Sequence, residues 1–237
     1  MATISKDCNG GNKGSLNMGA SSSFSQIKGS TNTSSSARFY LDTIATSAKY
    51  GYLTFPSITI PSGAKVDSVK CTIRCLADYN TTNVKIHVYL AEGTTRRSDV
   101  RSESVTKYND IKSITVTATS NFSAYSSIRL YFGLSGGDAQ LDEYPDMDVY
   151  GATVTVTYTQ YYNVVSTKYS SNNNVTISPS GTSSIAQNSS YTITVTNTSN
   201  IAPKVTDNGT QVSLTGTASP WKYTISKVTE AHTINVY

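Results

Sequence analysis

The sequence is poor in charge: only 14% of its 237 residues are Asp, Glu, Lys or Arg, against roughly a quarter in an average soluble domain. Its 19 basic and 15 acidic residues are spread along the whole length, with no basic cluster beyond Arg96-Arg97 and Arg101. That pattern lacks the electrostatic footprint of a nucleic-acid-binding protein. No apolar run approaches the roughly 18 residues that span a bilayer, so no membrane insertion is expected and the chain reads as soluble. The opening Met1-Ala2-Thr3-Ile4-Ser5-Lys6-Asp7 has neither a positive head followed by an apolar stretch nor a cleavage-like end, and reads as no secretory signal.

Cysteine is scarce as well. Cys8, Cys71 and Cys75 make an odd count that forms no disulfide framework. Cys71 and Cys75 lie four residues apart in an alternating, strand-like segment, about 13 Å along a strand and too far to pair. Both read as small core hydrophobes without a redox or metal role. There are 2 histidines, His87 and His232, the first outward on a strand beside Lys85 and the second in a turn. No Gly-x-Ser-x-Gly elbow, no Gly-rich phosphate loop and no segment of helical period occurs, so the expectation is a protein that is not an enzyme.

What the chain does have is Ser and Thr, together roughly 30% of it, and 17 Tyr against 5 Phe and 1 Trp. Val, Ile, Thr and Tyr suit a pleated, half-wet sheet surface, and the composition reads as all-β. Residues 1–36 are dominated by Gly, Ser, Asn and Thr, with Leu16, Met18, Phe24 and Ile27 as apolar anchors. They are expected to form a flexible N-terminal arm, disordered or ordering on a neighbour. Residues 37–160 show short alternating segments at the spacing of a sandwich. Candidate strands there include Lys49 to Phe55, Ser57-Ile58-Thr59-Ile60 between Pro56 and Pro61, Val69 to Leu76, Val84 to Leu90, Ile128 to Phe132 and Ala152 to Tyr158. Residues 161–237 carry their own strand set, with Asp207-Asn208-Gly209-Thr210 as a tight hairpin turn. A small immunoglobulin-like sandwich is expected for this stretch.

Two clusters carry possible chemistry. The loop Asp138-Ala139-Gln140-Leu141-Asp142-Glu143-Tyr144-Pro145-Asp146-Met147-Asp148 holds five carboxylates in eleven residues. They can supply oxygen ligands to calcium through Asp138, Asp142, Glu143, Asp146 and Asp148; the favoured reading is a solvated loop. Tyr50, Tyr52, Tyr161, Tyr162 and Trp221 are candidates for stacking against sugar rings, and the competing reading is rings packed at the edge of a core.

The segment Tyr50-Gly51-Tyr52-Leu53-Thr54-Phe55-Pro56, followed by Ile60-Pro61-Ser62-Gly63-Ala64, resembles the signature of jelly-roll, carbohydrate-binding-like domains of bacterial and archaeal surface proteins. The resemblance implies a sandwich fold and a glycan contact. Val175-Thr176-Ile177-Ser178-Pro179-Ser180-Gly181, Tyr191-Thr192-Ile193-Thr194-Val195 and Val205-Thr206-Asp207-Asn208-Gly209 are similar to the B-repeats of internalin-type adhesins. They depart from those repeats in having Gln187-Asn188 where Gly is common and in occurring once. A single such copy appended to a sandwich looks like the display domains of tailed-bacteriophage structural proteins. That resemblance implies a non-enzymatic display protein on the virion surface, as capsid decoration or head fibre, made in the bacterial host cytoplasm. The arm would then attach it to virion proteins such as the major capsid protein. The alternatives are a carbohydrate-binding module and a tail-fibre or adhesin protein of host attachment.

Overall fold

Alternation of apolar with polar residues sets which side of each strand is buried. In Lys85–Glu92, Ile86, Val88 and Leu90 are fully buried, while His87 and Tyr89 take the opposite, half-exposed side. The computed structural model describes residues 1–32, 34–42, 45–78, 84–105, 110–136, 145–169 and 174–237. Among these the regular structure is strand, apart from one 3-10 turn at Phe24–Gln26, in agreement with the all-β reading.

The strands in chain order are β1 (Ala2–Asp7), β2 (Gly10–Asn12), β3 (Asn17–Met18), β4 (Ala37–Tyr40), β5 (Ala45–Thr54), β6 (Ala64–Asp78), β7 (Lys85–Glu92), β8 (Thr95–Arg96), β9 (Arg101–Ser104), β10 (Asp110–Thr117), β11 (Ile128–Gly136) and β12 (Asp146–Lys168). They continue as β13 (Val175–Ser178), β14 (Gly181–Ala186), β15 (Tyr191–Asn197), β16 (Val205–Asp207), β17 (Thr210–Val212), β18 (Trp221–Ile225) and β19 (His232–Val236). The chain divides into two compact units: residues 2–60 with 66–158, and residues 61–65 with 159–237. β12 contributes its first part to the larger unit and its last part to the smaller.

In the larger unit one sheet runs β10-β6-β12, with β4 and β1 paired to successive stretches of β12 and β3 added on β4. The other sheet runs β2-β5-β11-β7, with β8 and β9 both on β7. One core lies between them. Phe39 of the first sheet meets Phe132 of the second edge to face at 4.7 Å, and Leu53, Ile73, Cys71, Cys75, Leu130 and Val154 fill the space around them. The three cysteines are free and buried, and Cys8 Sγ donates to the Lys28 carbonyl. Burial pushes the thiols up, Cys8 to about 11 and Cys75 to about 12, with Cys71 also raised well above its ordinary value. At one end of β7, Glu92 accepts hydrogen bonds from Ser123 N and Oγ, Ala124 N and Arg97 Nε, tying the 123–124 loop to the sheet.

The smaller unit has its own core of Val164, Val175, Ile193, Val195, Val205, Ile234 and Val236. It lies between β14-β12-β19-β16-β17 and the three-stranded β13-β15-β18. β12 and β19 run parallel there, the other pairs antiparallel. The hairpin expected at Asp207-Asn208-Gly209-Thr210 joins β16 to β17, with positive φ at Asn208 (48°) and Gly209 (83°).

Three expectations need correction. The described residues among 1–36 are not a flexible arm: β1 pairs with β12 over six registers, and β2 extends the second sheet through β5. Leu16 and Ile27 are buried at 1% and 4% exposure. The backbone of Cys8, Asn9, Ser15, Gly19 and Lys28 donates to carbonyls of Ala152, Thr54, Tyr50, Arg38 and Tyr150. Ladder hydrogen bonds thus satisfy a polar stretch whose few apolar residues fill the core, which composition alone does not reveal. Ser57-Ile58-Thr59-Ile60 is not a strand; Ile58 is buried and its N–H donates to Tyr125, between prolines that cannot extend a ladder. The strands expected on either side of residue 160 are one strand, β12.

Candidate functional site

The outward side of the second sheet of the larger unit gathers aromatic and basic side chains. Register fixes the arrangement. Tyr52 of β5, Tyr131 of β11 and Tyr89 of β7 stand opposite one another in a single row, with Asn12 of β2 next to Tyr52. A second row holds Tyr50, Gly133, His87 and Ser102, and a third holds Thr54, Arg129, Ala91 and Arg96. The inward neighbours Leu53, Leu130, Phe132, Ile86 and Val88 hold the strands against the core and keep these rows facing out.

The tyrosine rings are half-buried and pack on one another. Tyr89 and Tyr131 stack with centroids 4.7 Å apart and planes 4° from parallel, the separation of adjacent strands. Tyr52 lies 5.3 Å from Tyr131, and its ring carries the Arg129 guanidinium at 4.4 Å. Tyr50 leans over the middle strand at Gly133, where an added Cβ would stand 2.6 Å from Tyr50 Cδ1. The missing side chain lets the ring reach Tyr89 at 5.2 Å and His87 at 6.4 Å, both edge to face. Such pairs are worth about 0.5–1.5 kcal/mol each beyond burial. Because the rings occupy each other's faces, they offer outward their rims and hydroxyls more than open flat surfaces.

The electrostatics keep these groups in hydrogen-bonding form. Burial pushes the Tyr89 phenol up to about 12, with Tyr131 and Tyr50 adding to the effect and Arg96 opposing it. Tyr50 is raised by burial, again against Arg96. Both phenols therefore keep their protons as donors at neutral pH. Burial, then the Lys85 charge, lowers His87, so its imidazole is neutral. Its Nδ1 and Nε2 each lie 2.8 Å from a serine hydroxyl, Ser102 and Ser135, one nitrogen donating and the other accepting.

Of the five sugar-stacking candidates, Tyr50 and Tyr52 stand on this face. Tyr161 and Tyr162 belong to the β12 segment of the smaller unit, where Tyr162 packs against that unit's core. Trp221 is corrected: it is 4% exposed, opposite Val195 and on the same side of β18 as Ile225, so its ring has no surface to offer a sugar. The alternation Trp221-Lys222-Tyr223-Thr224-Ile225 carried that signal. Tyr89 and Tyr131 were missed as site residues, although the outward side of Tyr89 follows from its strand's alternation.

For calcium, Asp138, Asp142 and Glu143 lie outside the described residues. Asp146 pairs with Arg38, and Asp148 stands opposite Arg38 in the β12–β4 register. Among the described residues no group of three His, Cys, Asp or Glu side chains is placed to hold a metal ion. In the smaller unit His232 Nδ1 lies 2.8 Å from Asp207 Oδ2, which also accepts the Tyr223 hydroxyl at 2.7 Å. This largely buried network fastens β19 and β18 to the hairpin.

No protein-family model matches the chain, and no curated protein sequence does. Among solved structures, the chain is similar to the Stig cyclase Fisc from Fischerella sp. TAU at 16% identity and a TM-score of 0.33, over 54% of this chain and 67% of that one. It is similar to TmCBM61, solved with β-1,4-galactotriose, at 12% identity and a TM-score of 0.33, over 64% and 86%. A third is tailspike protein 4 of bacteriophage CBA120, at 13% identity and a TM-score of 0.29, over 66% of this chain and 19% of that one. Identities and TM-scores at this level are too low to bring a function from any of these proteins to this chain.

Proposed function

We propose that this chain is a non-enzymatic, glycan-binding β-sandwich protein that holds its ligand on the tyrosine face of the larger unit. The observation that carries the proposal is the convergence of Tyr50, Tyr52, Tyr89 and Tyr131 on one outward sheet surface, from strands far apart in sequence. Four half-buried rings in mutual contact form a rigid amphipathic surface, which costs little conformational entropy when a ligand settles on it. Their rims meet the C–H groups of a sugar, and their hydroxyls, with Asn12 and Ser102, meet its hydroxyl groups. The imidazole between two serines lacks the acid partner that orients a general base, so binding describes the site better than catalysis.

A place on a bacteriophage virion, as capsid decoration or head fibre on the major capsid protein, is the finer form of this proposal. No residue of the tyrosine face speaks for it, and the segment expected to make that attachment is folded into the sandwich. The glycan reading therefore stands ahead of it.

The test is a glycan microarray followed by titration calorimetry on the best ligand, with the native protein and Tyr131→Ala. Loss of the central ring of the row is expected to weaken binding roughly tenfold, the equivalent of ~1.4 kcal/mol. Unchanged affinity in the variant, or no glycan bound by the native protein, would overturn the proposal.

A further inference from the structure

Three arginines elsewhere in the larger unit are held by carboxylates. Arg38 pairs with Asp146, Arg97 with Glu92 and Arg101 with Glu103. On the tyrosine face, Arg129, Arg96 and Lys85 have no carboxylate partner among the described residues. On the strands around Lys85 and Arg96, Glu92 of β7 and Glu103 of β9 are engaged by Arg97 and Arg101.

Their placement is ordered by the sheet. Arg129 and Arg96 flank Ala91 in the row next to Tyr52, Tyr131 and Tyr89. Their α-carbons are thus two strand spacings apart, about 10 Å. Lys85 lies at the other end of β7, past His87. Arg129 is held over Tyr52 by a cation–π contact, which leaves the in-plane N–H groups of its guanidinium available for the bidentate geometry that a carboxylate or sulfate accepts. Arg96 is exposed and close enough to Tyr50 and Tyr89 for its charge to act on both phenols.

We infer that the ligand of the tyrosine face is an acidic polysaccharide, whose sugar rings lie along the row Tyr52-Tyr131-Tyr89 while their carboxylate or sulfate groups meet Arg129 and Arg96 in the adjacent row. This rests on the glycan reading above and adds the ligand's charge to it. The ring geometry favours a sugar over the other polyanion that basic aromatic surfaces take, a single-stranded nucleic acid. Bases need open ring faces to stack upon. Here Tyr89 and Tyr131 cover one another and Tyr52 is covered by Arg129. Rims, hydroxyls and guanidinium edges suit a non-planar, hydroxyl-rich chain with pendant anions.

The experiment measures binding of the full chain to matched pairs by calorimetry at low and at near-physiological salt. The pairs are polygalacturonate with its carboxyl-reduced neutral counterpart, and dextran sulfate with dextran; oligothymidylate serves as a non-sugar polyanion. The expected result is binding to an acidic member at least tenfold tighter than to its neutral counterpart, weakening as salt rises. The surface pair Arg96→Gln with Arg129→Gln should remove most of that preference, and circular dichroism identical to the native protein would show the fold intact. Equal binding of the neutral and acidic members would overturn the inference and leave the glycan reading standing. Binding of no polysaccharide would overturn both. Tighter binding of oligothymidylate than of either acidic polymer, or an unchanged preference in the double variant, would also overturn the inference.

Discussion

Glu92 shows how a single carboxylate holds a loop. Its burial works to raise the pKa, but the hydrogen bonds from Ser123, Ala124 and Arg97 outweigh burial and hold it at about 2, against an ordinary 4.5. The folded state therefore favours the ionised form. The stabilisation is complete above the unfolded pKa of 4.5 and is lost as pH falls from there toward about 2. Melting temperature recorded across that range should drop more steeply for the native protein than for Glu92→Gln, which has no charge to lose; parallel curves would remove the role assigned to Glu92. Gly133 is the other residue on which much depends. A methyl group there would stand 2.6 Å from the Lys49 carbonyl and from Tyr50 Cδ1, so Gly133→Ala must move backbone as well as ring. Overpacking of this kind costs about 1–3 kcal/mol. Chemical denaturation should show that loss, together with weaker ligand binding as Tyr50 is displaced from Tyr89.

Strands announce themselves in sequence when their inward residues are large and apolar. β7, β11, β13, β15 and β18 do, and their alternation reads directly from Ile86-Val88-Leu90, Leu130-Phe132, Val175-Ile177, Ile193-Val195 and Trp221-Ile225. β1, β2, β9 and β14 do not, because Ala-Thr-Ile-Ser-Lys-Asp, Gly-Gly-Asn, Arg-Ser-Glu-Ser and Gly-Thr-Ser-Ser-Ile-Ala have turn or loop compositions. Each is held by pairing with a stronger strand, a non-local term that no window of sequence contains. The N-terminal segment makes this measurable. Leu16 is buried at 1% exposure, so Leu16→Ala should destabilise the larger unit by about 2–5 kcal/mol. A flexible arm would show no change in the same calorimetric scan.

For the molecule as a whole, the abundance of Val, Ile, Thr and Tyr was enough to read the all-β class from composition. The site was less legible. Its four tyrosines come from positions 50, 52, 89 and 131, and only the register of β5, β11 and β7 brings them into contact. Tyr50 and Tyr52 were visible as a pair; their partners and the arginines beside them emerge from sheet order alone. The cysteines carry a different consequence. All three are enclosed with their thiols held far from ionisation, so the thiolate that reacts with electrophiles is nearly absent from the folded protein. The native chain should stay silent toward an aromatic disulfide reagent, and its three sulfurs should become titratable only as the larger unit opens. Labelling rate would then serve as a built-in clock for the opening of that unit, without any engineered probe.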